Sequence, residues 1–274
     1  MAGGKLVVVG CGIELGRHIT ERALSEIRAA DRVYMLADAF AQQWLLSIRP
    51  DARSLAYLYG DNKDRRQTYA QMEAEILSAV RTGQHVCAVF YGHPGVFAQV
   101  PHNTIQIARR EGRSARMEAG ISAEACLYAD LGLDPGDHGV QACEATLFLI
   151  SKYSINPAAL LILWQVALSG NLDCVGFESD PARLRILVDK LTAWYEADTP
   201  IILYEAAQLP VQHYRADVMP LHRLPKARLK EYTTLVIPPS VKQTRDEETL
   251  ARLAALAELQ NLRERDSIPG DQLQ

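Results

Sequence analysis

Long apolar runs, paired cysteines and a strong charge of either sign are all missing from this 274-residue sequence. No segment approaches the ~18 consecutive apolar residues of a membrane-spanning helix. MAGGK at the start leads into a short apolar run, residues 6–9, too brief for a secretory signal. The five cysteines, Cys11, Cys87, Cys126, Cys143 and Cys174, are widely spaced and form no CxxC pair. Scattered thiols in odd number read as reduced, so a cytoplasmic protein without a disulfide framework is expected. The 33 acids against 29 bases leave a net charge of −4, which argues against nucleic acid as the main partner. GxxxxGK[ST], HExxH and GxSxG are absent, so P-loop, zincin and serine-hydrolase chemistry have no foothold, and no metal is expected.

What is present is ordinary globular composition, 48% hydrophobic and 23% charged. A chain this long buries a core without disulfide or metal staples. Residues 6–9, 33–36 and 86–90 read as strands of the fully buried type. Residues 19–30, 68–81 and 104–110 read as helices between them, and 116–118 as a short extended piece. Apolar strands alternating with helices predict a parallel sheet covered on both faces. A second α/β unit follows Gly120. Ser122 caps a helix running to Leu131. Residues 147–150, 160–164, 201–204 and 233–237 are strand candidates with some antiparallel pairing, and 184–195 is a helix. The expected division is 1–120, 121–240 and a tail, 241–274. In the tail, Thr244 and Glu247 form a capping-box signature. Leu250, Leu253, Leu256, Leu259 and Leu262 recur every third residue. That helix either packs on its own domain or contacts a partner chain. Residues 267–274 are expected to fray.

Four places carry the chemistry. VVVGCGIELG is a strand entering a glycine-rich loop, read as either a plain turn or the wall of a nucleotide-like cofactor site around Gly10. A third glycine at the dinucleotide position is missing, so an NAD site is not expected. FYGHPGVF follows the strand at 86–90 directly. Ligands of parallel sheets sit beyond such strand ends, and Pro94 stiffens the loop, so it reads as a binding loop or a rigid turn. YGDNKDRRQTY holds Tyr59, Arg65 and Tyr69. With a helix starting near Asp64, Arg65 and Tyr69 stand one turn apart. A guanidinium beside a phenol favours the phenolate, which makes a possible general base. The plain alternative is a solvated loop–helix junction. Gln165 and the Tyr204–Glu205–Ala206 step lie at strand exits, where Trp164 and Tyr204 read as core aromatics. Ser122 is a cap or a ligand contact.

VVVGCGI, YGDNKDRRQTY, FYGHPGVF, GISAEACLYADLGLDPG and LWQV, in that order, resemble the tetrapyrrole (corrin/porphyrin) methylase superfamily from about residue 5 to 239. More closely the chain looks like the borosin peptide α-N-methyltransferases, in their free-standing bacterial form. The GxGPGD-type first loop and the Gly-Asp-Pro central loop of the tetrapyrrole branch are both missing here. The resemblance implies a two-domain α/β fold of the tetrapyrrole-methylase type, with a cofactor cleft between domains and a C-terminal helix. It implies S-adenosyl-L-methionine as methyl donor and S-adenosyl-L-homocysteine as product. Carried over, Gly10, Tyr91, His93, Val96, Ser122, Ala123, Gln165, Glu205, Ala206 and Thr234 would line the cofactor site. Tyr59, Arg65, Tyr69 and Tyr91 would be the catalytic set, with Tyr91 near the transferred methyl.

The implied acceptor is a backbone amide nitrogen, a poor nucleophile because its lone pair is delocalised into the carbonyl. Its attack on a sulfonium methyl needs the proton removed and the amide oxygen stabilised, roles for a tyrosinate and Arg65. The sequence ends without a Val/Ile-rich core segment, so the expected substrate is a separate ribosomal precursor peptide carrying a helical recognition domain. A homodimer in a 2:2 complex with precursor is expected, without nucleic acid or membrane. The rivals are a methyltransferase of a tetrapyrrole-type small molecule and a non-catalytic peptide-binding homologue. The Tyr59–Arg65–Tyr69 set discriminates against both.

Overall fold

In a computed structural model, the structure describes residues 3–266, with side chains described through residue 260. The elements and contacts that follow are those of these residues. The first sheet grows from runs that are buried on both faces. Leu6, Val7, Val8 and Val9 of β1 (Lys5–Gly10) are all wholly buried. So are Val86, Cys87, Ala88 and Val89 of β4 (His85–Phe90). Continuous burial of that kind belongs to a central parallel strand. The sheet order is β3-β2-β4-β1-β5, all parallel, with β2 at Arg32–Leu36, β3 at Arg53–Ser54 and β5 at Ser114–Met117. Crossovers run through α1 (Glu21–Ala29), α2 (Ala39–Ile48), α3 (Arg65–Arg81) and α4 (Gln99–Arg110).

The second sheet has the order β6-β7-β10-β8-β9 and is mixed. α5 (Ala123–Leu131) and α6 (Pro135–His138) lead into β6 (Val140–Glu144). α7 (Ala145–Ile150) and β7 (Leu160–Trp164) follow, and β6 and β7 pair in parallel. α8 (Pro181–Leu191) precedes β8 (Pro200–Glu205), β9 (Arg215–Pro220) and β10 (Thr234–Ile237), which pair antiparallel. The two sheets lie within one compact unit that ends at Ser240. Val241 begins a second unit containing α9 (Glu247–Asp266).

Several expectations are corrected. Residues 147–150 are helix rather than strand. Glu144 accepts the amides of Thr146 and Leu147 at 2.9 and 2.7 Å, and Lys190 Nζ closes the other end on the carbonyls of Phe148, Leu149 and Ser151. Capping at both ends decides a short apolar run whose periodicity is ambiguous. The tail helix is capped by Asp246, whose carboxylate accepts the Thr249 amide at 2.9 Å, not by Thr244. An aspartate directly before the first helical residue outcompetes a threonine two positions earlier. The expected helix at 68–81 starts three residues sooner, and that at 104–110 five residues sooner. α2, β6 and β9 carry no local pattern that announces them. Leu250, Leu253, Leu256 and Leu259 are all exposed. The fraying expected at 267–274 lies outside the described residues. Among those described, no helix is long and apolar enough to cross a membrane.

Candidate active site at the strand ends

The carboxyl ends of β1, β4 and β5 meet without side chains between them. Gly12 and Gly92 form an antiparallel bridge, with amide-to-carbonyl distances of 3.2 and 2.9 Å. A β-carbon on Gly10 would fall 2.1 Å from the Gly92 carbonyl oxygen, and one on Gly120 2.7 Å from the same atom. The glycines of VVVGCGI therefore let main chain pack on main chain, which is the plain-turn reading of that motif. Pro94 seats against Gly10, and Gly95 donates its amide to His93 Nδ1 at 2.9 Å. The loop after β4 is rigid, and it leaves Val96 and Phe97 exposed at its tip.

Phe97 takes a left-handed φ of 50°, and its ring meets Trp164 at 5.6 Å. Gln165, next along the chain, is also left-handed at φ 56°. Strain of this kind, at Phe97 and at the residue after its ring partner, is kept only when the surroundings enforce it. The Trp164 indole N–H is buried and has no hydrogen-bond partner among the described residues. Ser122 caps α5 by accepting the Ala125 amide at 3.2 Å, and Ala123 opens that helix.

Tyr91 faces another set of groups. Burial pushes its phenol well above the usual range, with Asp38 and Cys11 nearby adding to the rise and the neighbouring Gln208 side chain opposing it. The Gln208 carbonyl also accepts the Leu15 amide at 2.9 Å, so one residue ties the β1 loop, the β4 loop and the segment after β8. Gln208 lines a cavity of about 330 Å³, together with Glu205, Ala206, Arg215, Lys230 and Tyr232. Glu205 is 6% exposed, and its carboxylate is saturated by Arg215 (2.6 Å), Thr233 (2.7 Å) and Lys230 (3.0 Å). Burial works against that charge, but the three donors prevail and hold the carboxyl below the usual range. The Glu205 side chain is therefore taken, leaving its backbone for any ligand. Thr234 is buried opposite Tyr204 in the β10–β8 ladder.

Tyr59, Arg65 and Tyr69 do come together. Asp64 caps α3, so Arg65 is its first residue and Tyr69 lies one turn on. The Tyr59 phenol has that of Tyr69 for a close neighbour. Burial, with Tyr69 alongside, pushes the Tyr59 phenol far above its usual range, and the charge of Arg65 does not reverse this. At Tyr59, desolvation works against the phenolate that the neighbouring cation favours. Sequence reasoning missed Phe177, whose ring stands edge-on to Tyr59 at 5.8 Å and under the Arg65 guanidinium at 5.0 Å. It also missed Gln208 and Phe97. The positive φ values and long-range contacts that single these residues out leave no local mark in the sequence.

Residues 5–221 match the family described as Tetrapyrrole (Corrin/Porphyrin) Methylases. The methyltransferase/ribosomally synthesized cyclic peptide gymnopeptides precursor of Gymnopus fusipes is 38% identical over 259 residues, 93% of this chain and 62% of its own. The corresponding omphalotin A precursor of Omphalotus olearius is 36% identical over 260 residues, 92% and 62% of the two chains. The chain thus spans about three fifths of the length of these relatives. They are fungal proteins, which overturns the expected likeness to a bacterial free-standing form. Among solved structures, cobalt precorrin-4 methyltransferase superposes with a TM-score of 0.62 at 16% identity, covering 85% of this chain and 94% of its own. Uroporphyrin-III-C-methyltransferase of Thermus thermophilus gives 0.60 at 18%, covering 86% and 92%. At such identities these two speak for the fold alone. The fold, the glycine-packed strand ends and the extent of the match together make this chain a member of the tetrapyrrole (corrin/porphyrin) methylase family.

Proposed function

We propose that the chain is an S-adenosyl-L-methionine-dependent methyltransferase of backbone amide nitrogens in a ribosomal precursor peptide, as in borosin biosynthesis. The observation that carries this reading is the grouping of the Tyr59 and Tyr69 phenols with Arg65 at the head of α3. The similarity to fungal proteins named as both methyltransferase and peptide precursor supports it.

The residues present fit the cofactor. Val96, Phe97 and Ile121 offer exposed apolar surface for a nucleoside, and Trp164 holds a buried donor without a partner. Gln165 adds a polar side chain at the same strand end. Tyr91, His93, Ser122, Ala123 and Ala206 complete the proposed lining, with Gly10, Glu205 and Thr234 contributing backbone or packing. When bound, the cofactor supplies an electrophilic methyl on a cationic sulfur.

The chain's own residues must make an amide nitrogen attack. Burial works against ionisation of Tyr59, which suits it to stay protonated beside Tyr69 while the reaction proceeds. Tyr69 is therefore the group we assign to accept the amide proton. Arg65 stands beside both phenols, where its remaining N–H donors can steady charge growing on the amide oxygen. Exclusion of water by the enclosing precursor or a partner chain would strengthen each of these interactions. The homodimer and the 2:2 complex with precursor belong to this proposal, supported by the exposed leucine row of α9.

The test is incubation with S-adenosyl-L-methionine and a precursor peptide, followed by intact and fragment mass measurement. Gains in steps of roughly 14 Da, localised to backbone amides, are expected. Bound cofactor with no mass gain across a panel of precursors would overturn the reading.

A further inference from the structure

The segment between β7 and α8 reaches Arg65 from the other half of the unit. Arg65 opens α3, so its amide lacks an intrahelical acceptor. That amide donates to the Cys174 carbonyl at 2.9 Å. The guanidinium Nη1 donates to the Gly176 carbonyl two residues further on. One residue is thus gripped at its backbone and at its side-chain tip by alternate carbonyls of a single loop. The intervening carbonyl, of Val175, turns away and accepts from Asn171 Nδ2 at 2.8 Å. Asn171 itself is 7% exposed. Left-handed backbone at Cys174 (φ 55°) and Gly176 (φ 68°) produces the alternation. Cys174 holds that conformation against the preference of a side-chain-bearing residue.

Phe177 follows at once. It is 42% exposed, yet it touches both Arg65 and Tyr59. A large apolar ring left half in solvent, on a loop whose backbone is strained to deliver it, contributes little to the core. Its contacts lie on two of the three residues assigned to proton transfer.

We propose that Phe177 is a positioning residue for the reaction: its ring, presented by the carbonyl grip of residues 174–176, fixes the plane of the Arg65 guanidinium and keeps water from the Tyr59 hydroxyl. A guanidinium stacked on an aromatic face keeps its in-plane N–H groups free for an acceptor. One of them is used by Gly176, which sets the rotation of the rest. The edge-on contact with Tyr59 covers the phenol from the loop side.

This inference deepens the proposed reaction and rests on it, so the experiment has an arm that needs no turnover. Phe177→Ala and Phe177→Tyr are compared with the native chain in methylation of precursor, and tyrosine ionisation is followed by absorbance. Each titration is repeated in a Tyr59→Phe background to isolate Tyr59. In Phe177→Ala, kcat should fall about tenfold through lost alignment, with the KM for S-adenosyl-L-methionine unchanged. Tyr59 should begin to ionise at lower pH, because its burial is relieved. Phe177→Tyr, which keeps the ring, should restore both. Native kcat and an unmoved Tyr59 titration in Phe177→Ala would overturn the proposal. Equal losses in Phe177→Tyr and Phe177→Ala would overturn it as well. If the native chain methylates no precursor, the peptide reading falls and the titration alone decides the role of Phe177.

Discussion

Gly10 and Gly92 are in main-chain contact: a β-carbon on Gly10 would stand 2.1 Å from the Gly92 carbonyl oxygen and 2.8 Å from Pro94 Cδ. Neither obstacle is the free end of a flexible side chain. Gly10→Ala should therefore cost about 3 kcal/mol, the upper range for overpacking in a rigid setting. Urea unfolding followed by circular dichroism measures it. A loss near zero would mean that the loop after β4 yields more than its bridge and its proline suggest.

Tyr69→Phe removes the oxygen proposed to accept the amide proton while leaving the ring packed on the first-sheet core. Peptide methylation should drop at least about 100-fold with the melting temperature unchanged. Tyr59→Phe should be milder, because a supporting donor is lost rather than the base. Single-turnover mass measurement on both variants ranks them, and the opposite order would exchange the two roles.

The Glu205 carboxylate should govern part of the acid stability. Its folded-state value lies below the ordinary 4.5 because Thr233, Lys230 and Arg215 outweigh its burial. A depressed carboxylate stabilises the fold above its unfolded value, and that contribution fades as pH falls through and below about 4.5. The native chain should lose urea resistance across that window. Glu205→Gln should be weaker at neutral pH and flatter with acidification. A parallel pH dependence in the two proteins would remove Glu205 from the account.

Trp164→Phe tests the indole donor that has no partner. A buried N–H left unpaired carries a desolvation penalty of roughly 1–3 kcal/mol. Replacing the indole with a phenyl ring leaves an aromatic side chain facing Phe97. Without cofactor the variant should be as stable as the native chain or more so. Its affinity for S-adenosyl-L-methionine should fall about tenfold if the N–H serves the ligand. Titration calorimetry beside thermal melting reads both, and unchanged affinity would make the indole a packing group.

Much of the scaffold is legible in the sequence because its signals are local. The run at 6–9 and the run at 86–90 are too short and too apolar to be anything but buried strands once helices flank them. Ser122 reads as a cap from its neighbours alone. By contrast, residues 145–150 carry no period long enough to separate helix from strand, and the deciding ligand, Lys190, lies forty residues away in sequence. At the candidate site, Tyr59, Arg65 and Tyr69 stand within one short stretch of chain, so spacing alone groups them. It does not reach Phe177 or Gln208, since each acts on a residue more than 100 positions away. For Tyr59, spacing reveals a neighbouring cation and says nothing of the desolvation that opposes it.

The clasp on Arg65 also bears on how the chain is made. Its carbonyl acceptor at Gly176 is synthesised 111 residues after it. While the first sheet leaves the ribosome, the opening amide of α3 and the arginine tip still lack their two acceptors. The half that carries Tyr59 and Tyr69 has its own parallel strands to collapse on, yet the Arg65 clasp forms only when the later half docks. The clasp thus belongs to a long-range closure, the class of contact whose large sequence separation makes it costly to form early.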